Sequence, residues 1–199
     1  MADEQDRSRE DAVFRIFINA DIQRVWRELS KTGEAQAAVF NAWLHTGGQH
    51  GLVPGAHLQM RTGSGRHVIV DGKVVAFEPP HRFVHTHRFT QYGDPSCQVS
   101  YELKPVGSGV EVTLRVSGLP AGTKTSKSMA SGGHTILSSL QAICETGRPR
   151  LGTRLLYTLF AQLEFMLPAR TKSEHWPLRD AAAKAPDEPR ADTLAGTGA

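Results

Sequence analysis

The chain has 199 residues, 39% of them hydrophobic and 22% charged, with a formal net charge of +3. This is enough for one domain with a sizeable core. No apolar run reaches the roughly eighteen residues of a membrane-spanning helix, and so small a positive excess, without a Lys/Arg cluster interleaved with aromatics, argues against nucleic acid as a partner. The polar stretch Met1 to Glu10 lacks the apolar region of a secretory signal, so a cytoplasmic location is expected. Cys97 and Cys144 fit no metal or redox spacing and are expected as free thiols.

Residues 1–11 read as a flexible N-terminus. Val13 to Asn19 alternates like a first strand. Asp21 is a suitable N-cap for a helix carrying Val25, Trp26 and Leu29 on one face. A second short helix is expected from Glu34 to about Trp43, and the glycine-rich Thr46 to Ala56 is expected as a loop. Strands follow at His57 to Arg61, Arg66 to Glu78, Arg82 to Gln91, Ser96 to Lys104 and Val110 to Ser117. Gly and Pro turns separate them, the pattern of an antiparallel meander. Asp71-Gly72 fits either a hairpin turn or a bulge in one long strand, and the bulge is preferred. From Thr125 the period becomes helical, with Met129, Gly133, Ile136, Leu140, Ile143 and Cys144 on one face as far as Gly147. A helical extension, residues 149–178, holds the amphipathic segment Leu151 to Leu167. Leu155, Leu159, Leu163 and Met166 line one side of it, with Leu156, Phe160 and Leu167 beside them and Arg154, Thr158 and Glu164 opposite. Its charges sit at the ends, so its apolar arc is expected to pack on its own domain or to form a homodimer through Leu151 to Leu167, rather than to insert stably into a membrane. Residues 179–199 offer little to bury and read as a disordered tail.

Phe17-Ile18-Asn19-Ala20-Asp21 leading to Val25-Trp26-Arg27-Glu28-Leu29, the segment Val74 to Phe83, the hairpin Tyr101 to Thr113, Ser117-Gly118-Leu119-Pro120 and Gly132-Gly133 before Ile136 occur in an order that resembles the SRPBCC superfamily. The likeness is greatest to the group named after the activator of the heat-shock-protein-90 ATPase, and it covers about Ala12 to Arg148. The resemblance implies an α+β helix-grip fold over residues 12–148: a curved antiparallel sheet of about six strands wrapped around a long C-terminal helix, with two short helices after the first strand. It also implies a cavity between sheet and helix. Members of the superfamily bind lipids or other apolar molecules, and some are cyclases or aromatases. Ile22 stands where the family has Pro, and His134 where it often has Trp.

Within Phe83 to Phe89, Phe83, His85, His87 and Phe89 share one strand face, while Arg82 and Arg88 share the other. Arginines prefer water, so the histidine face is expected to be concave. Met60, Phe83, His85, His87, Phe89, Val99, Tyr101, Met129, Gly133, Ile136 and Leu140 are the expected ligand-binding residues. A metal is not expected, because His-x-His alone supplies too few ligands and a convergence of His57 and His67 with it depends on register. No nucleophile motif, phosphate loop or dinucleotide fingerprint is present, so no cofactor and no catalytic residue are assigned. The function expected is binding of a small apolar or amphipathic ligand. The alternatives are a cyclase- or hydrolase-like enzyme with a cavity histidine as general base, paired with Tyr101 or Glu78, and a co-chaperone-type interaction module.

Overall fold

The computed structural model describes residues 9–179. β1 (Arg9–Ile18) leads into α1 (Ile22–Ser30), whose N-cap Asp21 accepts a hydrogen bond from the Gln23 backbone N–H at 2.8 Å. Val25, Trp26 and Leu29 are the buried face of α1. The helix expected over Glu34 to Trp43 is absent. The segment instead forms β2 (Ala35–Gln36), a reversal, and β3 (Ala42–Thr46). Two local interactions override helical propensity there. The Gln36 side-chain amide donates to Leu29 O and Lys31 O, both at 3.0 Å, so it satisfies carbonyls at the end of α1. Phe40 and Asn41 take left-handed φ values of 50° and 59°, which turn the chain back on itself.

β4 (His57–Arg61), β5 (Val68–Glu78), β6 (Arg82–Phe89), β7 (Cys97–Val106) and β8 (Gly109–Pro120) complete one antiparallel sheet of eight strands in the order β1-β8-β7-β6-β5-β4-β3-β2. The expected six become eight because β2 and β3 replace the second helix. Asp71-Gly72 runs through the middle of β5 as regular ladder, with Asp71 opposite both Gln59 and Arg88. The extra residues lie elsewhere in the strand, where the register shifts between Val74 and Ala76 against β6 and between Met60 and Arg61 against β4.

The curled sheet grips α2 (Lys124–Thr146), which packs on β1 and β8 and buries Met129, Gly133, Leu137, Leu140, Ile143 and Cys144. Thr123 caps its start, and Gly147 ends it with a left-handed φ of 81°. α3 (Leu151–Gln162) follows, shorter than the expected Leu151 to Leu167, and single 3-10 turns then occupy Glu164–Met166, Ala169–Thr171 and Ser173–His175.

This C-terminal strap lies on the sheet. Ser173 N–H donates to Arg66 O at 2.9 Å, the Gln59 side chain donates to Trp176 O at 3.1 Å, and Arg88 stacks over the Trp176 ring. The expected tail, apart from Arg179, lies outside the described residues. Among the described residues, no helix is long and apolar enough to cross a membrane.

Candidate functional site

Between the concave sheet face and the helices lies a cavity of about 880 Å³. β4 to β8 contribute Met60, Val70, His85, His87, Phe89, Val99, Tyr101, Leu114 and Val116; α2 contributes Met129, Gly132, Gly133 and Ile136; α3 contributes Leu156, Tyr157 and Phe160. The volume is within the usual span for small-molecule sites.

Nine of the residues named from the sequence meet here: Met60, His85, His87, Phe89, Val99, Tyr101, Met129, Gly133 and Ile136. Phe83 and Leu140 do not line the cavity; both belong to the packed core, at 1% and 0% exposure. Phe83 is shut off because α1 plugs that end of the groove: Trp26 packs on Phe77 and Phe77 on Phe83, with ring centroids 5.2 and 5.5 Å apart.

The two histidines continue that row of rings. Phe83, His85, His87 and Phe89 follow one another along β6 with centroids 5.2, 5.7 and 4.7 Å apart. The order is a direct product of strand alternation, which sends every second side chain to one face. Both imidazoles are buried. Burial lowers the His85 pKa from 6.5 to about 4, partly offset by a hydrogen bond to Thr86 O. Burial, and secondly the neighbouring His85, holds His87 well below 6.5. Both rings are therefore neutral at physiological pH. His85 Nδ1 lies 2.9 Å from Thr86 O, whereas His85 Nε2 and both nitrogens of His87 have no hydrogen-bond partner among the described residues. Burial alone pushes the phenol of Tyr101 well above its ordinary range. The two formally charged lining residues are engaged by protein groups. Arg61 donates to the Gln59 side-chain oxygen at 2.7 Å, and Glu164 accepts from Thr62 at 2.9 Å and from Ser64.

The remaining sequence candidates lie elsewhere. His57 pairs with Asp71 at 2.7 Å and accepts from the Arg179 N–H, and His67 contacts Thr171 at 2.8 Å. Neither converges on His85 and His87. Glu78 pairs with Arg82 at 3.0 Å on the surface. Among the described residues, no group of three His, Cys, Asp or Glu side chains is placed to hold a metal ion.

Sequence reasoning missed the part of the wall supplied by α3. Tyr157, the buried residue of α3, donates to Ala37 O at 2.7 Å and fastens the helix across the turn between β2 and β3. A lone phenol beside the apolar arc of the helix was the available signal, since a buried hydroxyl needs a partner. The expected packing face is displaced within its arc: Leu156, Phe160, Leu163 and Leu167 line the cavity, whereas Leu155 and Met166 point to solvent and Glu164, assigned to the polar side, is buried.

Comparisons with solved structures find the same architecture. The Aha1 dimer from Colwellia psychrerythraea is 19% identical, is matched over 69% of this chain and 98% of that one, and superposes with a TM-score of 0.54. A protein of Mesorhizobium loti is 18% identical over 67% of this chain and 96% of its own, with a TM-score of 0.54. CalU16 from Micromonospora echinospora is 16% identical over 79% and 87%, with a TM-score of 0.55. At these identities the likeness is one of fold. No curated protein sequence matches the chain. The family model "Activator of Hsp90 ATPase homolog 1-like protein" matches residues 8–145. That match spans the sheet and α2 nearly to the end of the helix, and the chain belongs to this family.

Proposed function

We propose that the protein binds a small apolar or amphipathic molecule in the cavity between the sheet and α2. One observation carries the reading: a space of about 880 Å³, walled mostly by apolar side chains, lies between the sheet and α2, with His85, His87 and Tyr101 among its few polar lining residues. A mostly apolar lining with a few polar groups is the usual form of a small-molecule site. A filled core would have favoured a pure interaction module. The enzyme alternative is weaker, because an imidazole with a pKa near 4 is a poor general base at neutral pH. Two buried free thiols go with a reducing compartment such as the cytoplasm.

The test is titration with diphenylhexatriene, a fluorescent apolar probe. One probe per chain is expected. Ile136→Trp, which takes up cavity space, should weaken binding several-fold, and Leu155→Ser on the outer face of α3 should not. Binding that follows Leu155 and ignores Ile136 would place the probe on the surface and defeat the reading.

A second reading concerns self-association. Leu151, Leu155 and Phe165 are 78%, 74% and 78% exposed on the outer side of α3 and the turn after it. Exposed apolar rows of this kind mark contact surfaces, and we propose that this one pairs two copies of the chain. Sedimentation velocity should show a dimer that Leu155→Glu converts to monomer; a monomeric parent protein at high concentration would exclude it.

A further inference from the structure

The deep walls of the cavity, at Val70, Val99, Leu114 and Val116, are buried. Exposed lining residues lie on four other pieces of chain: Asn41 in the reversal between β2 and β3, Ser64 in the turn between β4 and β5, Thr135 on α2 and Phe160 on α3. These four pieces frame the mouth. Residues 151–167 join the end of α2 to the C-terminal strap, and both neighbours are firmly docked. α2 packs on β1 and β8, and in the strap Thr171 contacts His67 at 2.8 Å and Ser173 N–H donates to Arg66 O at 2.9 Å.

The segment between them is held lightly. Five of the twelve residues of α3 are Leu or Phe, yet only Tyr157 is buried. Among the described residues, the hydrogen bonds from 151–167 to the sheet and its turns come from two side chains. Tyr157 donates to Ala37 O at 2.7 Å, beside the β2–β3 reversal. Glu164 accepts from Thr62 at 2.9 Å and from Ser64 in the β4–β5 turn, with Arg66 Nε 3.8 Å away. Both side chains thus reach from one edge of the mouth to another. The whole segment lies beyond residues 8–145, the part of the chain matched to the family.

We propose that residues 151–167 are a lid over the cavity mouth, latched by Tyr157 to the β2–β3 reversal and by Glu164 to the β4–β5 turn, and that a ligand enters and leaves when the latches release. This rests on the cavity being a ligand site, as proposed above. A segment with few buried side chains opens locally without unfolding the domain. A closed lid shuts an apolar ligand away from water, and its motion then limits exchange. The latches bond protein to protein, not protein to ligand. Weakening one favours the open form equally whether the cavity is empty or filled, so entry and release accelerate by the same factor.

The experiment follows the fluorescence of N-phenylnaphthylamine, an uncharged apolar probe, after rapid mixing with the full chain. Tyr157→Phe and Ser64→Ala each remove one latch hydrogen bond. Each is expected to raise the rate constants of entry and release together by about fivefold, the worth of roughly one hydrogen bond, and the double variant by more than either. Leu155→Ser, on the outer face of α3, should change neither rate. Amide exchange of the unaltered protein gives a second readout: Leu151–Gln162 should exchange faster than Lys124–Thr146, and should slow when the probe is bound. Rates that stay at the parent values, or exchange in α3 as slow as in α2, would make α3 a fixed wall and overturn the lid while leaving the cavity reading intact. A rise in release alone would show that the substituted residue holds the probe itself, and would equally overturn the latch. No binding by the parent protein would remove both readings.

Discussion

The Phe14 ring on β1 occupies the position where a side chain on Gly133 of α2 would begin. The adjacent Gly132 has open space beside it, on the cavity side. Two neighbouring glycines in one helix thus have different reasons to be glycine: Gly133 lets the helix approach the sheet, and Gly132 leaves room in the cavity. Gly133→Ala is expected to lower stability by about 1–3 kcal/mol through overpacking. Gly132→Ala should raise it by up to about 1 kcal/mol, from helix propensity alone. Urea unfolding of the two variants gives the comparison, and equal effects would show that Phe14 moves aside.

The Tyr157 hydroxyl should hold α3 over the cavity. Tyr157→Phe removes its bond to Ala37 O, made at 2.7 Å, and leaves that carbonyl without its donor. A loss of about 1 kcal/mol is expected, together with faster amide exchange along Leu151–Gln162 than along Lys124–Thr146. Unchanged exchange in α3 would mean that its apolar contacts suffice to hold it.

Acid should destabilise the fold through the buried imidazoles. An unfolded histidine titrates near 6.5, whereas folded His85 titrates at about 4. Between these values the unfolded chain binds a proton that the folded one does not. Stability is therefore full above pH 6.5 and is lost as pH falls towards 4, by up to about 3 kcal/mol for His85. His87, also held low, adds in the same direction. Urea midpoints measured across this range should fall with pH, and the double variant His85→Phe, His87→Phe should fall less steeply. A flat profile in the parent protein would show that the rings are solvated.

The thiols should be inert in the folded state. Cys97 and Cys144 are buried, and burial pushes them up to about 11 and about 12 respectively. The thiolate is the reactive form, so labelling with a disulfide reagent at mildly alkaline pH should wait for unfolding. Rapid labelling of either cysteine would indicate local opening, around β7 for Cys97 and around α2 for Cys144.

What was legible in the sequence follows from whether a pattern carries its own reference for inside and outside. On β6, Arg82 and Arg88 mark the solvent side and so assign His85 and His87 to the cavity without any knowledge of register. On α3 the leucines recur at helical spacing, but nothing local says which flank of a wide apolar arc meets the domain. Leu156, Tyr157 and Phe160 face the cavity, and Leu155 is left outside. The reversal at Phe40 and Asn41 was unreadable because a left-handed phenylalanine has no propensity signature. The capping role of Gln36 depends on the end of α1 being close at hand in space. The strap from Thr171 to Arg179 has no period at all. Its position on the sheet rests on pairs such as His67 with Thr171 and Gln59 with Trp176 O, which only the folded chain brings together.

The methionines allow the most direct test of ligand binding inside the cavity. Met60 on β4 and Met129 on α2 line opposite walls of it, while Met166 is exposed beyond α3. With carbon-13 in the methionine methyl groups of the unaltered protein, diphenylhexatriene should shift the Met60 and Met129 signals together, saturating at one equivalent, and leave Met166 in place. Movement of Met166 alone, or no movement at Met60 and Met129, would contradict a ligand site between the sheet and α2.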